Sequence, residues 1–457
     1  MTALFAQRAL LPEGWASNVR ITVAADGRIE NVLKDAARDP RDHNLVNRIL
    51  LPAPANLHSH AFQRAMAGMT EYRSAADDDF WSWRELMYRF LDVLTPGQIE
   101  AIAALVYVEM LEAGYAAVGE FHYVHHRPGG GSYDNIAETS ERIFAAVAET
   151  GIGLTHLPVL YTFGGAGKQP LAGGQLRFGC DDARFQELHA AARSGLGHLP
   201  ADCAIGIAPH SLRATGPQQM KALADAYPGG PIHIHAAEQD REVAEIEAWL
   251  GARPVEWLLG EAGADARWCL IHATQMNDTE IAGLARSGAV AGLCPITEAN
   301  LGDGTFNARD FVAENGGFGV GSDSNVRISL SGELSQLEYS QRLRHKARNV
   351  LSGKGVSTGR NLFLRAAEGG ARAIGRDSGA LEAGRLADIV ALDAGHLSLC
   401  GLRDDQILDG WIFAADDRVV SDVWSAGRHC VINGRHVRRD AVERRYRSAM
   451  AELLGLL

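Results

Sequence analysis

The middle of the chain alternates short apolar runs with longer segments in which apolar residues recur at helical spacing. Eight runs are typical of buried strands, and they cover residues 51–58, 116–122, 153–161, 203–210, 231–235, 268–272, 289–294 and 317–321. Helical spacing occurs between them, at 96–113, 135–150, 217–226, 242–259 and 279–286. Strands and helices alternating in this way predict a (β/α)8 barrel, whose active site lies at the carboxyl ends of the strands.

Two β-rich segments flank this middle. Strand-like runs at 18–23 and 29–33 are separated by Asp26-Gly27, which is a strong hairpin signal. The C-terminal part has similar runs at 387–392, 419–424 and 430–437. We therefore predict an α/β chain with a barrel at residues 51–375. A small discontinuous β domain would be built from residues 1–50 and 376–440, and a C-terminal helix would occupy 441–457.

Composition narrows the class of protein. A length of 457 residues suits one barrel with a smaller domain, and 46% hydrophobic with 22% charged residues is ordinary for a globular chain. A net charge of −12 disfavours binding to nucleic acid phosphates. The basic cluster at 435–447 is interrupted by acids, and we interpret it as a solvated helix face.

The compartment is predicted from three further features. No apolar run is long enough to span a membrane, and the N-terminus lacks the pattern of a signal peptide. Six cysteines are scattered without a Cys-x-x-Cys pair, which favours a reducing environment. We expect a cytoplasmic protein without membrane or nucleic acid partners.

Polar residues stand where the predicted strands end. His58 and His60 close the first strand at a spacing of two, so both imidazoles point to the same side. His235, His272 and Asp323 close the fifth, sixth and eighth strands. A single histidine is more often an ordinary core or surface residue, but five such residues at strand ends favour a site for zinc or another first-row metal.

The connection after the first strand, roughly residues 61–95, is unusually long. Long connections in compact domains are typically lids or binding loops, or else they are disordered. Its paired tryptophans argue against disorder, and we interpret it as a lid. Its polar and aromatic residues include Gln63, Arg64, Tyr72, Arg73, Trp81, Trp83 and Arg84.

These motifs resemble a known superfamily. The resemblance to the amidohydrolase superfamily, metal hydrolases on a distorted (β/α)8 barrel with a small β-sandwich domain, rests on Asn56-Leu-His-Ser-His60, His235-Ala-Ala-Glu238, His272 and Ser322-Asp323. Members with two metals usually carry a bridging lysine on the fourth strand, and residues 203–212 contain none. The resemblance therefore implies one divalent metal ion, zinc before others, with the ligands His58, His60, His235 and Asp323.

A finer resemblance is to the formimidoylglutamate deiminase family of histidine degradation. It rests on the segments 61–68, 80–88, 119–124, 209–213 and 293–302. It implies hydrolysis of the C=N bond of N-formimidoyl-L-glutamate to N-formyl-L-glutamate and ammonia, by an enzyme that is commonly a homodimer.

The resemblance also implies roles for three catalytic residues. His272 would take a proton from the attacking water, although Asp323, here a ligand and orienter, is an alternative base. Glu238 would carry a proton to the leaving ammonia; alternatively it only forms a hydrogen bond to a ligand imidazole. His233 points into the barrel beneath His235, and we expect it to lie in the core or to support a metal ligand, and not to bind the metal itself.

The substrate's two carboxylates suggest arginine partners. Arg84 and Arg213 are the candidates, because a guanidinium donates two parallel hydrogen bonds to one carboxylate. The neutral or tunable donors would be Gln63, Tyr123 and His210. Two alternatives stay open: a guanine- or adenosine-type aminohydrolase, which would want aromatic stacking, and a non-catalytic barrel scaffold.

Overall fold

The N-terminal segment forms four strands. The structure, a computed structural model, describes residues 2–72 and 80–457, and within the first helix it describes side chains from residue 83 onward. The strands are β1 (Thr2–Leu11), β2 (Gly14–Val23), β3 (Ile29–Leu33) and β4 (His43–Pro52). The predicted hairpin is confirmed: β2 and β3 pair antiparallel, and Gly27 in their turn has a φ of +82°, which favours glycine.

The central segment forms the predicted parallel barrel. Its strands are β5 (Ala55–Ser59), β6 (Ala117–His122), β7 (Gly153–Leu160), β8 (Ala204–Ile205), β9 (Ala208–Pro209), β10 (Ile232–Ala236), β11 (Trp268–His272), β12 (Val290–Leu293) and β13 (Gly317–Val320). The short β8 and β9 share the fourth position, since both pair with β7. Parallel bridges from Ile207 to Ile232 and from Ser59 to Asp323 close the ring.

Helices lie between the barrel strands and continue into the C-terminal part of the chain. They are α1 (Phe80–Val93), α2 (Pro96–Glu112), α3 (Glu138–Thr150), α4 (Asp182–Leu196), α5 (Pro217–Ala226), α6 (Asp240–Leu250), α7 (Pro254–Gly260), α8 (Asp278–Ser287), α9 (Pro295–Leu301), α10 (Ala308–Ala313), α11 (Leu330–His345), α12 (Thr358–Ala373), α13 (Asp405–Ala414) and α14 (Arg439–Leu454). Among the residues that the structure describes, none of the helices combines the length and apolar character needed to span a bilayer.

Both chain ends build one small domain, as predicted. The C-terminal strands are β14 (Ile389–Asp393), β15 (Val420–Ser425), β16 (Arg428–Ile432) and β17 (Arg435–His436). Hydrogen bonds join the eight strands in the order β17-β16-β15-β14-β4-β1-β2-β3. An apolar cluster separate from the main core lies within this domain and draws on both ends of the chain, with Leu4 and Ile21 beside Ile389 and Trp424.

A buried ionic cluster joins the small domain to the barrel. Arg376 donates to both oxygens of Asp388, at 2.6 and 2.9 Å, and lies 3.0 Å from Asp202. Arg428 of β16 binds the same Asp202 carboxylate at 2.7 and 2.8 Å. Since Arg376 and both aspartates are almost fully buried, each charge depends on its partners.

Two predicted elements are wrong in their limits. The apolar run at 51–58 is not one strand: Leu51 and Pro52 end β4 and pair with β14, and the barrel strand begins at Ala55. Pro52 and Pro54 lack the N–H groups that a continuous ladder would need. The helix predicted at 242–259 is also two helices, because Gly251 adopts a φ of +72° at the end of α6 and Pro254 starts α7.

The basic cluster at 435–447 is not a solvated face alone, which corrects our interpretation. Arg439 lies 2.8 Å from Glu112 of α2, and Arg445 pairs with Glu149 of α3. Helix α14 therefore docks against the barrel helices through complementary charge.

Candidate functional site

Four side chains converge at the carboxyl ends of the strands. The Nε2 atoms of His58, His60 and His235 lie 3.2–3.3 Å from one another. Asp323 Oδ1 lies 3.4 Å from His58 Nε2 and 3.2 Å from His60 Nε2. All four ligand atoms lie within 4.8 Å of one another, and separations of this size leave room for an ion at about 2 Å from each atom, the usual zinc–nitrogen and zinc–oxygen distance. The four residues therefore fit one metal ion.

The protein fixes the orientation of two of these ligands. His60 Nδ1 donates to the carbonyl oxygen of Phe121, and His235 Nδ1 donates to that of His210, both at 3.0 Å. Each bond places the ring hydrogen on Nδ1 and turns Nε2 toward the centre of the site.

The ligands are held in their metal-binding protonation states. Burial and the neighbouring His60 lower the pKa of His58 to about 3, and burial also lowers the pKa of His235. Burial alone would raise the pKa of Asp323, but the contact with His58 and the field of His60 hold it well below its usual range. Neutral imidazoles and an ionised carboxylate are the forms that bind a metal.

His272 stands between carboxylates beside the ligands. Its Nε2 lies 3.6 Å from Glu238 Oε1 and 3.9 Å from Asp323 Oδ2. Burial acts against the charge of this imidazole, but Glu238, Glu298 and Asp323 together raise the pKa of His272 to about 10. These carboxylates stabilise a positive charge on the ring, whereas a cation held by the four ligands would oppose that charge and favour the neutral imidazole.

The pKa of Glu238 is also raised above its usual value. Burial raises its pKa, although the positive charges of His272 and Arg213 act against this. The raised pKa makes it easier for Glu238 to take up a proton and pass it on.

Strained backbone marks the same strand ends. His272 has a φ of +68° and Asp323 a φ of +45°, values that residues with a Cβ seldom adopt. Such positions persist only where surrounding contacts impose them, and they concentrate at functional sites.

One cavity brings the predicted metal, catalytic and substrate residues together. Its wall includes side chains from the predicted metal site, the predicted catalytic pair and the predicted lid: His60, Gln63, Trp83, Arg84, Met87, Tyr123, Tyr161, Phe178, His210, Arg213, His235, Glu238, His272, Leu301, Asp323 and Ser324. All five predicted substrate residues are among them. His58 lies behind, fully buried.

The predicted substrate residues are held by contacts around this cavity. Gln63 Nε2 donates to the Tyr123 hydroxyl at 2.7 Å, and Arg84 of α1 donates to the hydroxyl of Tyr88. A ring nitrogen of His210 lies 3.0 Å from the Ser211 hydroxyl. Arg213 approaches Glu238 Oε2 at 3.8 Å, so the arginine also faces a predicted catalytic residue.

Other residues of the predicted lid are not in this wall. Arg64 donates to the carbonyl oxygen of Asn325 at 2.8 Å and pairs with Glu109, and Tyr72 is exposed. Arg73 and the side chain of Trp81 lie outside the described residues. His233 is buried and bonds the carbonyl oxygen of Ala373 at 2.7 Å, in the core role expected of it.

Sequence reasoning missed three residues near the centre. Tyr161 follows β7 and lines the cavity, so the strand-end rule could have found it. Glu298 contacts His272, and Asp303 lies within 4.8 Å of a group formed by Glu238 and His272. No spacing signal pointed to these two, because they approach from helix α9 and the loop after it.

Comparison with known proteins identifies the class. The chain belongs to the amidohydrolase family, whose model matches residues 49–430. Residues 1–44 match a second model, the N-terminal domain of formimidoylglutamate deiminase HutF. A formimidoylglutamate deiminase of Pseudomonas aeruginosa is 49% identical over 456 residues, which cover 99% of this chain and 100% of the relative. Both predicted resemblances are confirmed.

Solved structures support the fold. An amidohydrolase from Brucella melitensis has a TM-score of 0.95 at 49% identity, covering 99% of this chain and 100% of that one. An adenosine deaminase from Xanthomonas campestris with bound zinc has a TM-score of 0.83 at 21% identity, covering 99% and 98%. The second likeness shows the shared fold alone.

Proposed function

We propose that the chain hydrolyses N-formimidoyl-L-glutamate to N-formyl-L-glutamate and ammonia, a step in histidine degradation. The observation that carries this proposal is a cavity whose wall contains Arg84 and Arg213 together with residues of the four-residue group that could hold a metal ion. The full-length identity to a formimidoylglutamate deiminase supports the same substrate.

We infer one divalent metal ion per chain, zinc before others, held by His58, His60, His235 and Asp323. Such an ion lowers the pKa of water from ~15.7 toward ~7, and so supplies a nucleophile at neutral pH. Elemental analysis of the purified protein should find about one equivalent, and substitution of any of the four ligands should remove it. Two equivalents at full activity would refute the single site.

His272 and Glu238 then move protons in the reaction. The water oxygen bonds to the formimidoyl carbon as the C=N double bond becomes a single bond, and both protons of the water reach the terminal nitrogen. The remaining C–N bond then breaks, the C=O bond forms, and the nitrogen leaves as ammonia. His272 Nε2 accepts a proton from the water, and its neighbouring carboxylates stabilise the resulting charge. Glu238 donates a proton to the leaving nitrogen. Asp323 orients the water, and it is the alternative base.

Arg84 and Arg213 favour a substrate that carries carboxylates. A guanidinium binds a carboxylate through two parallel hydrogen bonds, and the glutamate portion has two carboxylates to offer. With Arg84 on the lid side and Arg213 beside Glu238, the glutamate would be held while its formimidoyl carbon lies over the metal site. Gln63, Tyr123 and His210 supply the remaining polar contacts.

A heterocycle aminohydrolase is the second candidate. The wall of the cavity contains Trp83, Tyr123, Tyr161 and Phe178, and such rings could stack on a purine. Ammonia release from formimidoylglutamate, guanine and adenosine decides between the two. We expect turnover of formimidoylglutamate alone; release from a purine at a higher kcat/KM would overturn the proposal.

We also infer a homodimer working in the cytoplasm on a small acidic substrate. The resemblance to its family supports the dimer, and the scattered cysteines, all free in the structure, support the compartment. Sedimentation of the purified protein tests the dimer, and fractionation of cells tests the location.

A further inference from the structure

Glu298 contacts the proposed catalytic histidine from behind. It lies on helix α9, and its carboxylate Oε1 is 3.3 Å from His272 Nδ1. The other ring nitrogen of His272 faces Glu238 and Asp323. Both His272 and Glu298 are buried, at 1% and 4% exposure, so solvent does not compete for this contact.

The carboxylate is itself fixed by the backbone. The same Oε1 accepts a hydrogen bond from the backbone N–H of Cys294 at 2.8 Å, at the residue that precedes α9. Glu298 is therefore tied to the start of the helix while it reaches the histidine.

This contact determines which nitrogen of His272 is available for chemistry. An ionised carboxylate only accepts hydrogen bonds, so the ring must place a hydrogen on Nδ1. In the neutral ring Nε2 is then unprotonated, and Nε2 is the nitrogen turned toward the metal ligands. A ring free to flip, or in the other tautomer, would present a hydrogen where a lone pair is needed.

From this geometry we propose that Glu298 is a positioning residue for His272, which sets the tautomer and the direction of the ring in the hydrolysis. This inference rests on the proposed role of His272, and it assigns Glu298 no contact with the substrate. The competing explanation is that Glu298 only stabilises the start of α9 through Cys294.

Comparison of four proteins separates the two explanations: wild type, Glu298→Gln, His272→Asn and the double variant. If Glu298 acts through His272, Glu298→Gln lowers kcat by about 10- to 100-fold, the usual cost of losing such an orienting partner. KM and metal content stay near the wild-type values. In the His272→Asn background the same change alters kcat by less than about twofold, because the residue it orients is gone.

Glu333→Gln is the matched control. Glu333 of α11 is also a fully buried carboxylate that accepts from the start of α9, at the N–H of Ile296 and 2.9 Å, but His272 contacts Glu298 instead. Glu333→Gln should leave kcat within about twofold of wild type. A comparable loss in Glu333→Gln, or a loss from Glu298→Gln that persists in the His272→Asn background, would overturn the positioning role.

The comparison is run on whichever substrate the wild type hydrolyses. Failure of the wild type on formimidoylglutamate therefore counts against the proposed function alone. The dependence of the Glu298 effect on His272 decides the positioning role separately. Thermal melting of each variant identifies any loss that arises from unfolding.

Discussion

At the scale of single residues, Arg213 has two sets of neighbours. It lines the cavity, yet its guanidinium also lies 3.8 Å from Glu238 and 4.0 Å from Glu242. A substrate carboxylate bound there would draw on the same positive charge that acts on Glu238. Substrate binding and the protonation of Glu238 are therefore linked through one side chain.

Replacement of either cavity arginine should weaken catalysis without loss of metal. We expect Arg84→Met and Arg213→Met each to lower kcat/KM for formimidoylglutamate by roughly 10- to 1000-fold, or ~1.4–4 kcal/mol in the transition state. Lysine at either position should restore little of the lost kcat/KM, because its ammonium group lacks the planar pair of N–H donors of a guanidinium. Steady-state kinetics with elemental analysis checks this, and Arg193→Met on the exposed face of α4 serves as the charge-matched control. Equal activity of the wild type on a formimidoyl amine without carboxylates would contradict the proposal that Arg84 and Arg213 bind the substrate carboxylates.

Three buried histidines away from the cavity should make stability depend on pH. Burial lowers the pKa of His156 to about 3 and holds the pKa values of His122 and His125 well below their usual range. Below pH ~6.5 these histidines bind protons in the unfolded chain but stay neutral in the folded chain. Each of them therefore lowers the free energy of unfolding by about 1.4 kcal/mol for every pH unit of acidification. Above that pH they have no effect.

Urea denaturation at pH 7.5 and pH 5 measures this loss of stability. His156→Gln should lose less stability between the two values than the wild type, whereas His198→Gln, at an exposed position, should behave as the wild type. An unchanged difference in His156→Gln would refute the assignment.

The site could be predicted where its residues end strands, and not elsewhere. His58, His60, His235, His272 and Asp323 occupy fixed places in a barrel, so their meeting follows from topology. Glu298 reaches His272 from a helix, and nothing in local spacing encodes that approach.

At the scale of elements, helix α12 lies unusually close to the barrel. A Cβ on Gly369 would overlap the carbonyl oxygen of Phe318 in β13, and one on Gly370 would stand 2.8 Å from the carbonyl oxygen of Ala55 in β5. The glycines therefore bring the helix backbone against β5, which contains His58, and β13, which precedes Asp323.

Replacing a glycine by alanine at this contact should destabilise the folded protein. We expect Gly369→Ala to lower the free energy of unfolding by about 1–3 kcal/mol, since the strands must move to admit a methyl group. Gly97→Ala, in the first turn of α2 with open space around it, should be neutral or slightly stabilising because alanine favours helix. Chemical denaturation of both variants checks the contrast, which equal stabilities would contradict.

Element limits were predictable where apolar runs end in turn residues. The strands at 153–161 and 268–272 were placed to within a residue, whereas the run at 51–58 crosses from one sheet to the other. Apolar character is the same in both sheets, so only the prolines mark the crossing.

For the whole molecule, the ionic cluster around Arg376 should couple the stability of the two domains. Arg376→Met leaves Asp388 and Asp202 buried with fewer partners, and removal of one member of a buried ion pair typically costs 3–5 kcal/mol. Urea denaturation should therefore show a lower free energy of unfolding for Arg376→Met than for the wild type. Arg385→Met breaks the half-exposed pair with Asp377 and should change stability far less. Similar losses in the two variants would show that the cluster does not join the domains.

The pairing of β4 with β14 has a consequence for synthesis on the ribosome. Strand β4 pairs with β1 on one side and β14 on the other, so its second edge stays open until β14 is made. At roughly 5–20 residues per second, the roughly 340 residues between them take about 20–70 s to translate. All four metal ligands precede β14 in the chain. The nascent polypeptide therefore contains all four proposed metal ligands before β14 is translated, and an unpaired strand edge of this kind can pair with another chain in the meantime.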